Sequence, residues 1–267
     1  MNFKNILLIC MALPSVTAFQ PSYTVPKRHN FLKSTNELYT SYYVPPGFEK
    51  IQNKPSEKII KTEPTSIQGG SLKTWSYSSD IVKKIQVNLF SEGRPFDANI
   101  ELWNGPNNTP VKMRVYVENG KVQPFTTVIE APNSPNTIAI RNVGQMELPF
   151  MAQVDANNIQ EFSKESNDFL KTIQGGALKT FQFNPFVDSV AVFIKSNGYP
   201  LNCRIEMLQG PNNNKQVIEL YTEDGLDRPF YCVLQTPDFG NVVRVINTSP
   251  IEFPMIASVV PNSIQLG

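Results

Sequence analysis

The stretch Ile67-Gln68-Gly69-Gly70-Ser71-Leu72-Lys73-Thr74-Trp75 returns 106 positions later as Ile173-Gln174-Gly175-Gly176-Ala177-Leu178-Lys179-Thr180-Phe181. From Gly93 onward the matches continue at a spacing of 105, so the second copy has lost one residue. Gly93-Arg94-Pro95 meets Gly198-Tyr199-Pro200, Gly105-Pro106-Asn107-Asn108 meets Gly210-Pro211-Asn212-Asn213, and Pro124-Phe125 meets Pro229-Phe230. Roughly a third of the aligned positions are identical, which marks an internal duplication of one structural unit. The chain divides into a first repeat at residues 67–160, a linker at 161–172 and a second repeat at 173–265.

Each copy reads as β-structure. Ile85-Gln86-Val87-Asn88-Leu89, Ala98-Asn99-Ile100-Glu101-Leu102, Val111-Lys112-Met113-Arg114-Val115-Tyr116-Val117 and Thr137-Ile138-Ala139-Ile140-Arg141-Asn142-Val143 alternate apolar and polar, the pattern of half-buried strands. Gly-, Pro- and Asn-rich turns separate them. Asn119-Gly120, replaced by Asp224-Gly225 in the second copy, predicts a hairpin turn. No stretch from residue 67 onward has a helical period. The expected fold is all-β: two tandem homologous antiparallel β-sandwich-like modules of about seven strands each, in a pseudo-two-fold arrangement.

The N-terminus reads as an address. Lys4, the apolar run Ile6 to Leu13 and the small residues before Ala18 form a signal peptide at residues 1–18, cleaved between Ala18 and Phe19. Residues 19–40 are basic, hydroxyl-rich and nearly acid-free, which is transit-peptide chemistry. The junction Thr17-Ala18-Phe19-Gln20-Pro21-Ser22 resembles that of the bipartite plastid presequences of diatoms and related algae. Residues 41–66, with Tyr42-Tyr43-Val44-Pro45-Pro46-Gly47-Phe48, read as an arm or linker. Plain secretion is the competing reading, compatible with sequons at Asn107 and Asn247.

Composition excludes several classes. Residues 1–66 hold 8 basic and 4 acidic side chains, leaving 16 and 19 for the body, which has no basic run for a phosphate backbone. No apolar run approaches the roughly 20 residues of a membrane span. The single histidine, His29, lies in the leader, so the body offers neither a histidine-based catalytic arrangement nor an imidazole metal site. Cys203 and Cys232 read as reduced core residues, with a single bridge or a reactive thiol as the alternative. Carboxylates are plentiful, but no pair stands out as catalytic. No cofactor is expected.

Candidate site residues come from what the repeat keeps or changes. Gly69-Gly70 and Gly175-Gly176, preceded by Gln68 and Gln174, point to positive φ or a close backbone approach, with a contact surface made twice as the alternative. Gly105 and Asn107, with Gly210 and Asn212, sit in loops that serve as structural turns or offer amides to a ligand. Trp75 and Phe181 read as core. Either Leu102 or Trp103 must face outward on an alternating strand, and Leu208 occupies the Trp103 position in copy two. An exposed Trp103 suits a protein seam or a sugar platform.

The two openings, with the first copy's segments from Gly93 to Pro110 and from Pro135 to Phe150, resemble the pyrenoid shell (PyShell) proteins of diatoms over residues 66–264. The resemblance implies a non-enzymatic structural protein that self-assembles into a sheet around the pyrenoid at its periphery in the plastid stroma. Such a sheet encloses the Rubisco matrix and supports CO2 concentration and fixation. The implied partners are further copies of the chain, paralogous shell proteins and Rubisco. Trp75, Trp103 and Arg141 become Phe181, Leu208 and Ile246 in copy two, so a seam lined by them makes different contacts in each half. The alternative is a carbohydrate-binding, lectin-like module, in which repeated Asn-rich loops give avidity.

Overall fold

The alternation in the sequence becomes strands wherever an apolar face meets a partner sheet. In the computed structural model of the protein, residues 62–156, 159 and 169–264 are described. The signal peptide, the junction between Ala18 and Phe19, the transit-like segment and residues 41–61 of the arm lie outside them. The first repeat forms β1 (Thr65–Ile67), β2 (Leu72–Tyr77), β3 (Lys84–Phe90), β4 (Phe96–Asn104), β5 (Asn108–Val117), β6 (Phe125–Glu130), β7 (Asn136–Asn142) and β8 (Phe150–Asp155). The second forms β9 (Lys171–Ile173), β10 (Leu178–Gln182), β11 (Val187–Lys195), β12 (Leu201–Gln209), β13 (Asn214–Thr222), β14 (Phe230–Gln235), β15 (Asn241–Asn247) and β16 (Met255–Ile264). Each repeat therefore has eight strands rather than about seven. The short β1 and β9, three residues each, have too few positions to show a period in sequence.

The strands make two antiparallel sheets of eight. The first runs β1-β8-β3-β6-β14-β11-β16-β9 and the second β10-β15-β12-β13-β5-β4-β7-β2. Each repeat supplies four neighbouring strands to each sheet, so each is a four-on-four sandwich module. The modules are joined side by side through β6–β14 and β5–β13. One hydrophobic cluster fills the space between the sheets and includes residues of both repeats, among them Ile85, Ile100, Phe125, Ile194, Ile205 and Val245. β5 shows the division of labour. Val111, Met113, Val115 and Val117 face the core, while Lys112, Arg114 and Tyr116 face solvent.

Register locates the pseudo-two-fold axis. An antiparallel pair has a local two-fold axis perpendicular to the sheet. In β5–β13 Arg114 stands opposite Glu219, and in β6–β14 Thr127 stands opposite Cys232; each pair is 105 positions apart, the repeat spacing. The axis therefore passes through equivalent residues in both sheets.

One expectation is corrected. Asn119-Gly120 joins β5 of the second sheet to β6 of the first, and these strands do not pair. It is a crossing between layers, not a hairpin. The Asn119 side chain accepts from the backbone N–H of Lys121 and Val122, and Asp224 does the same for Leu226 and Asp227. Gly120 is needed for room, since a Cβ there would stand 2.5 Å from Ser91 Oγ.

Candidate functional site

The Gly-Gly turns carry the chain from one sheet to the other at the two lateral ends of the sandwich, between β1 and β2 and between β9 and β10. Their two glycines do different things. A Cβ on Gly69 would lie 2.0 Å from the Gln145 carbonyl oxygen, and one on Gly175 would lie 1.8 Å from that of Pro250. Gly70 and Gly176 instead have open space but φ of +76° and +75°, which an L side chain rarely adopts. Their N–H groups donate to the carbonyls of Asn142 and Asn247 at 2.9 Å. Gln68 and Gln174 are exposed, and their carbonyls accept from Ser71 and Ala177 at 3.0 Å.

Asn142 and Asn247 complete a knot made identically in both copies. Asn142 Nδ2 donates to the carbonyls of Ile67 at 3.0 Å and Leu148 at 2.9 Å. Asn247 Nδ2 donates to those of Ile173 at 3.0 Å and Phe253 at 2.9 Å. Their side-chain oxygens accept from Gly144 N and Ser249 N. The two side chains are 0% and 1% exposed, and their bonds to Ile67 and Ile173 are fully buried, while those to Leu148 and Phe253 are partly buried. Asn247 is thus fully engaged, and its sequon is closed to glycan attachment in the folded protein.

The other sequence candidates disperse over the surface. Trp75 and Phe181 lie on the end strands and pack partly buried against the core. Trp103 faces outward, half-buried, with Nε1 donating to Glu101 Oε2 at 2.7 Å. Its counterpart Leu208 is 3% exposed, beside a register shift in β12. Gly105 and Asn107, and Gly210 and Asn212, form the β4–β5 and β12–β13 hairpin turns, with positive φ at Gly105, Gly210 and Asn212. Arg141 is exposed opposite Leu72, and Ile246 sits opposite Leu178. The fold thus distributes these residues between the lateral ends, the hairpin tips and the outer face of the second sheet.

What sequence reading missed is the charge pattern crossing the axis on that outer face. Arg114 binds Asp97 through two bonds, at 3.1 and 2.8 Å, which holds the guanidinium pKa above its ordinary value. Opposite it, Glu219 accepts from Arg204 at 2.6 Å. Arg204 also reaches Glu206 at 2.8 Å, and Glu206 accepts from Arg244 at 3.1 Å. Signs alternate across five strands and both repeats. The signal was present in sequence: the residues halfway along β5 and β13 are equivalent in the repeat yet opposite in charge. An open depression of about 440 Å³ lies here, lined among others by Asn99, Lys112, Arg114, Arg204 and Glu219. Its mixed charge suits a polar contact surface.

Cys203 and Cys232 are buried and unbridged. Burial pushes the Cys203 thiol up to about 12. Burial, with Cys203 as a lesser cause, raises Cys232 as well. Among the described residues no three His, Cys, Asp or Glu side chains are grouped to hold a metal ion, and no helix is long and apolar enough to cross a membrane.

Two homologous sandwich modules sharing two continuous sheets define a duplicated all-β protein, and the glycines and asparagines its copies share at the turns secure that fold. The chain belongs to the diatom pyrenoid shell protein family, whose model matches residues 57–261 and so spans both repeats. A search of curated proteins finds no match.

Proposed function

We propose that the protein is a non-enzymatic building block that self-assembles into a protein sheet. In this reading the sheet encloses the Rubisco matrix at the periphery of the pyrenoid, in the plastid stroma, and supports CO2 concentration and carbon fixation. The neighbour of each subunit is another copy or a paralogous shell protein. The family match across both repeats carries the reading. The architecture supports it, because a pseudo-two-fold axis gives one chain two similar ends, and contacts between such ends that do not close produce open assemblies.

The test is the form of the purified protein in light scattering and negative-stain microscopy, followed by imaging of a fluorescent fusion in the alga. Sheets or tubes near neutral pH, and a fluorescent rim around Rubisco, are the expected results. A monomer at every salt and protein concentration, or fluorescence away from the pyrenoid, would overturn the proposal.

A further inference from the structure

The turn between β7 and β8, and its equivalent between β15 and β16, agree in chemistry while differing in identity. The first carries Met146 and the second Ile251, 79% and 75% exposed. Turns are ordinarily built from Gly, Pro, Asn, Asp and Ser. Two different aliphatic residues held in water at one repeat position point to apolar character as the property retained.

Each turn lies against a Gly-Gly turn. A Cβ on Gly69 would stand 2.7 Å from Met146 Cα, and one on Gly175 would stand 2.7 Å from Ile251 N. Leu72 and Leu178, opening β2 and β10, add outward apolar surface nearby at 37% and 53% exposure. The patches occupy the two opposite lateral ends of the sandwich. Each is accompanied by one exposed lysine and one exposed glutamate, Lys73 with Glu147 and Lys179 with Glu252.

The adjacent sheet edges are poor templates for strand addition. Lys73 and Lys179 hold register positions opposite Ile140 and Val245, whose side chains face the core and are 0% exposed. A charge at an inward position of an edge strand is a guard against pairing with another chain. The edges of the first sheet, β1 and β9, are three residues long. A joint between copies therefore falls to the apolar turns.

We propose that these patches form the joint between successive copies of this chain, the Met146 end of one seated against the Ile251 end of the next. The inference rests on the shell reading above and names the contact that would propagate it. The partner is a second copy because the patch occurs twice on one molecule, at opposite ends. Joining unlike ends can also match Lys73 with Glu252 and Lys179 with Glu147. Eight is an even number of antiparallel strands, so β2 and β10 run in opposite directions. A copy advanced by translation then meets its neighbour in the antiparallel sense found between the repeats, and such a row does not close.

The test uses the full chain with Met146→Asp and Ile251→Asp, read by sedimentation and negative-stain microscopy. Near-UV circular dichroism checks that these exposed substitutions leave the fold intact. Each variant alone should lose its pelletable assemblies by about tenfold or more, because a carboxylate would be desolvated in the joint. An equimolar mixture should form one-to-one pairs, since each variant retains the end that the other lacks. Dimers of each variant alone would overturn the joining of unlike ends. Assembly of both variants at wild-type levels would overturn the joint while leaving the shell reading intact. Loss of assembly in Thr74→Pro or Thr180→Pro, with both aspartate variants still assembling, would assign the joint to strand pairing instead. Failure of the unmodified protein to assemble would remove the shell reading and the joint together.

Discussion

Gly69→Ala and Gly70→Ala, adjacent and chemically identical substitutions, should differ in cost, with Gly69→Ala the more damaging. The Gly69 methyl would lie 2.0 Å from Gln145 O, 2.4 Å from Gln145 C and 2.7 Å from Met146 Cα. Those are backbone atoms, so relief requires the two turns to part by about an ångström. Parting them stretches the Gly70 N–H bond to Asn142 O and both bonds of Asn142 Nδ2, which run from 2.9 to 3.0 Å. At about 1 kcal/mol net for each, the loss is about 3 kcal/mol before any strain is added. Gly70→Ala meets no atom within 4 Å and pays only for a side chain at φ +76°, about 1–2 kcal/mol. At about 2–4 °C per kcal/mol for a domain of this size, Gly69→Ala should lower Tm by about 6–12 °C and Gly70→Ala by about 2–8 °C, a third to two-thirds of the shift at equal conversion. Thermal unfolding followed by tryptophan fluorescence measures both, and Gly175→Ala against Gly176→Ala repeats the experiment in copy two. Equal effects, or a larger one at Gly70, would refute the assignment of close approach to one glycine and of backbone conformation to the other.

The remaining expectations are as direct. Asn142→Ala and Asn247→Ala should each cost about 2–3 kcal/mol in urea unfolding, because each leaves one buried and one partly buried carbonyl without its donor; a loss below about 1 kcal/mol would deny the knot its role. Burial raises both thiol pKa values, Cys203 to about 12 from 9.0, so above pH 9 the unfolded chain sheds protons that the folded chain retains. Stability should therefore fall as pH rises from about 9, by up to about 1.4 kcal/mol per pH unit per thiol. Urea midpoints should show a shallower fall in Cys203→Ala, and an unchanged slope would contradict the burial. A double-mutant cycle of Arg114→Ala and Glu219→Ala should give a favourable coupling of about 0.5 kcal/mol that shrinks in high salt; a coupling insensitive to salt would argue against charge at the axis. Trp103→Ala, on the outer face, should disturb stability less than Trp75→Ala, and scanning calorimetry showing the reverse order would contradict their placement.

Much of the fold was legible because strand alternation and duplication are local signals. The Val111–Val117 stretch shows its buried face in its own sequence, and Ile67-Gln68-Gly69-Gly70 announces its partner by identity. What could not be read was which strand lies beside which. Asn119-Gly120 has the composition of a hairpin turn, yet the chain there changes layers, because β6 finds its partners in β3 and β14 rather than in β5. Composition reports that the chain turns, not which sheet receives it. The continuity of both sheets through β5–β13 and β6–β14 depends on pairings about a hundred residues apart, which carry no local pattern. The site candidates divided in the same way. The Gly pairs were legible as special backbone, whereas Asn142 appeared only within a strand pattern and Asn247 only as a sequon. Their role needed the three-dimensional meeting of Ile67, Leu148 and the turn. Arg141 was chosen as a difference between the copies, and among the described residues no pairing with its side chain explains that difference.

The side-by-side junction of the repeats has a mechanical consequence. A pull along the strand order, from the β1/β2 end toward the β9/β10 end, loads the interstrand hydrogen bonds along their own axes, so they open one rung at a time like a zipper. Between the two repeats the second sheet resists with seven paired positions, but the first resists with only three, Thr126, Thr127 and Val128 against Val233, Cys232 and Tyr231. The β6–β14 contact is the narrow rung of that junction. Under tension the first sheet would open there before β5–β13 yields, bending the molecule toward its second sheet while the halves stay attached. Stretching would then show itself as a hinge between the repeats, with each four-on-four module travelling as an intact plate.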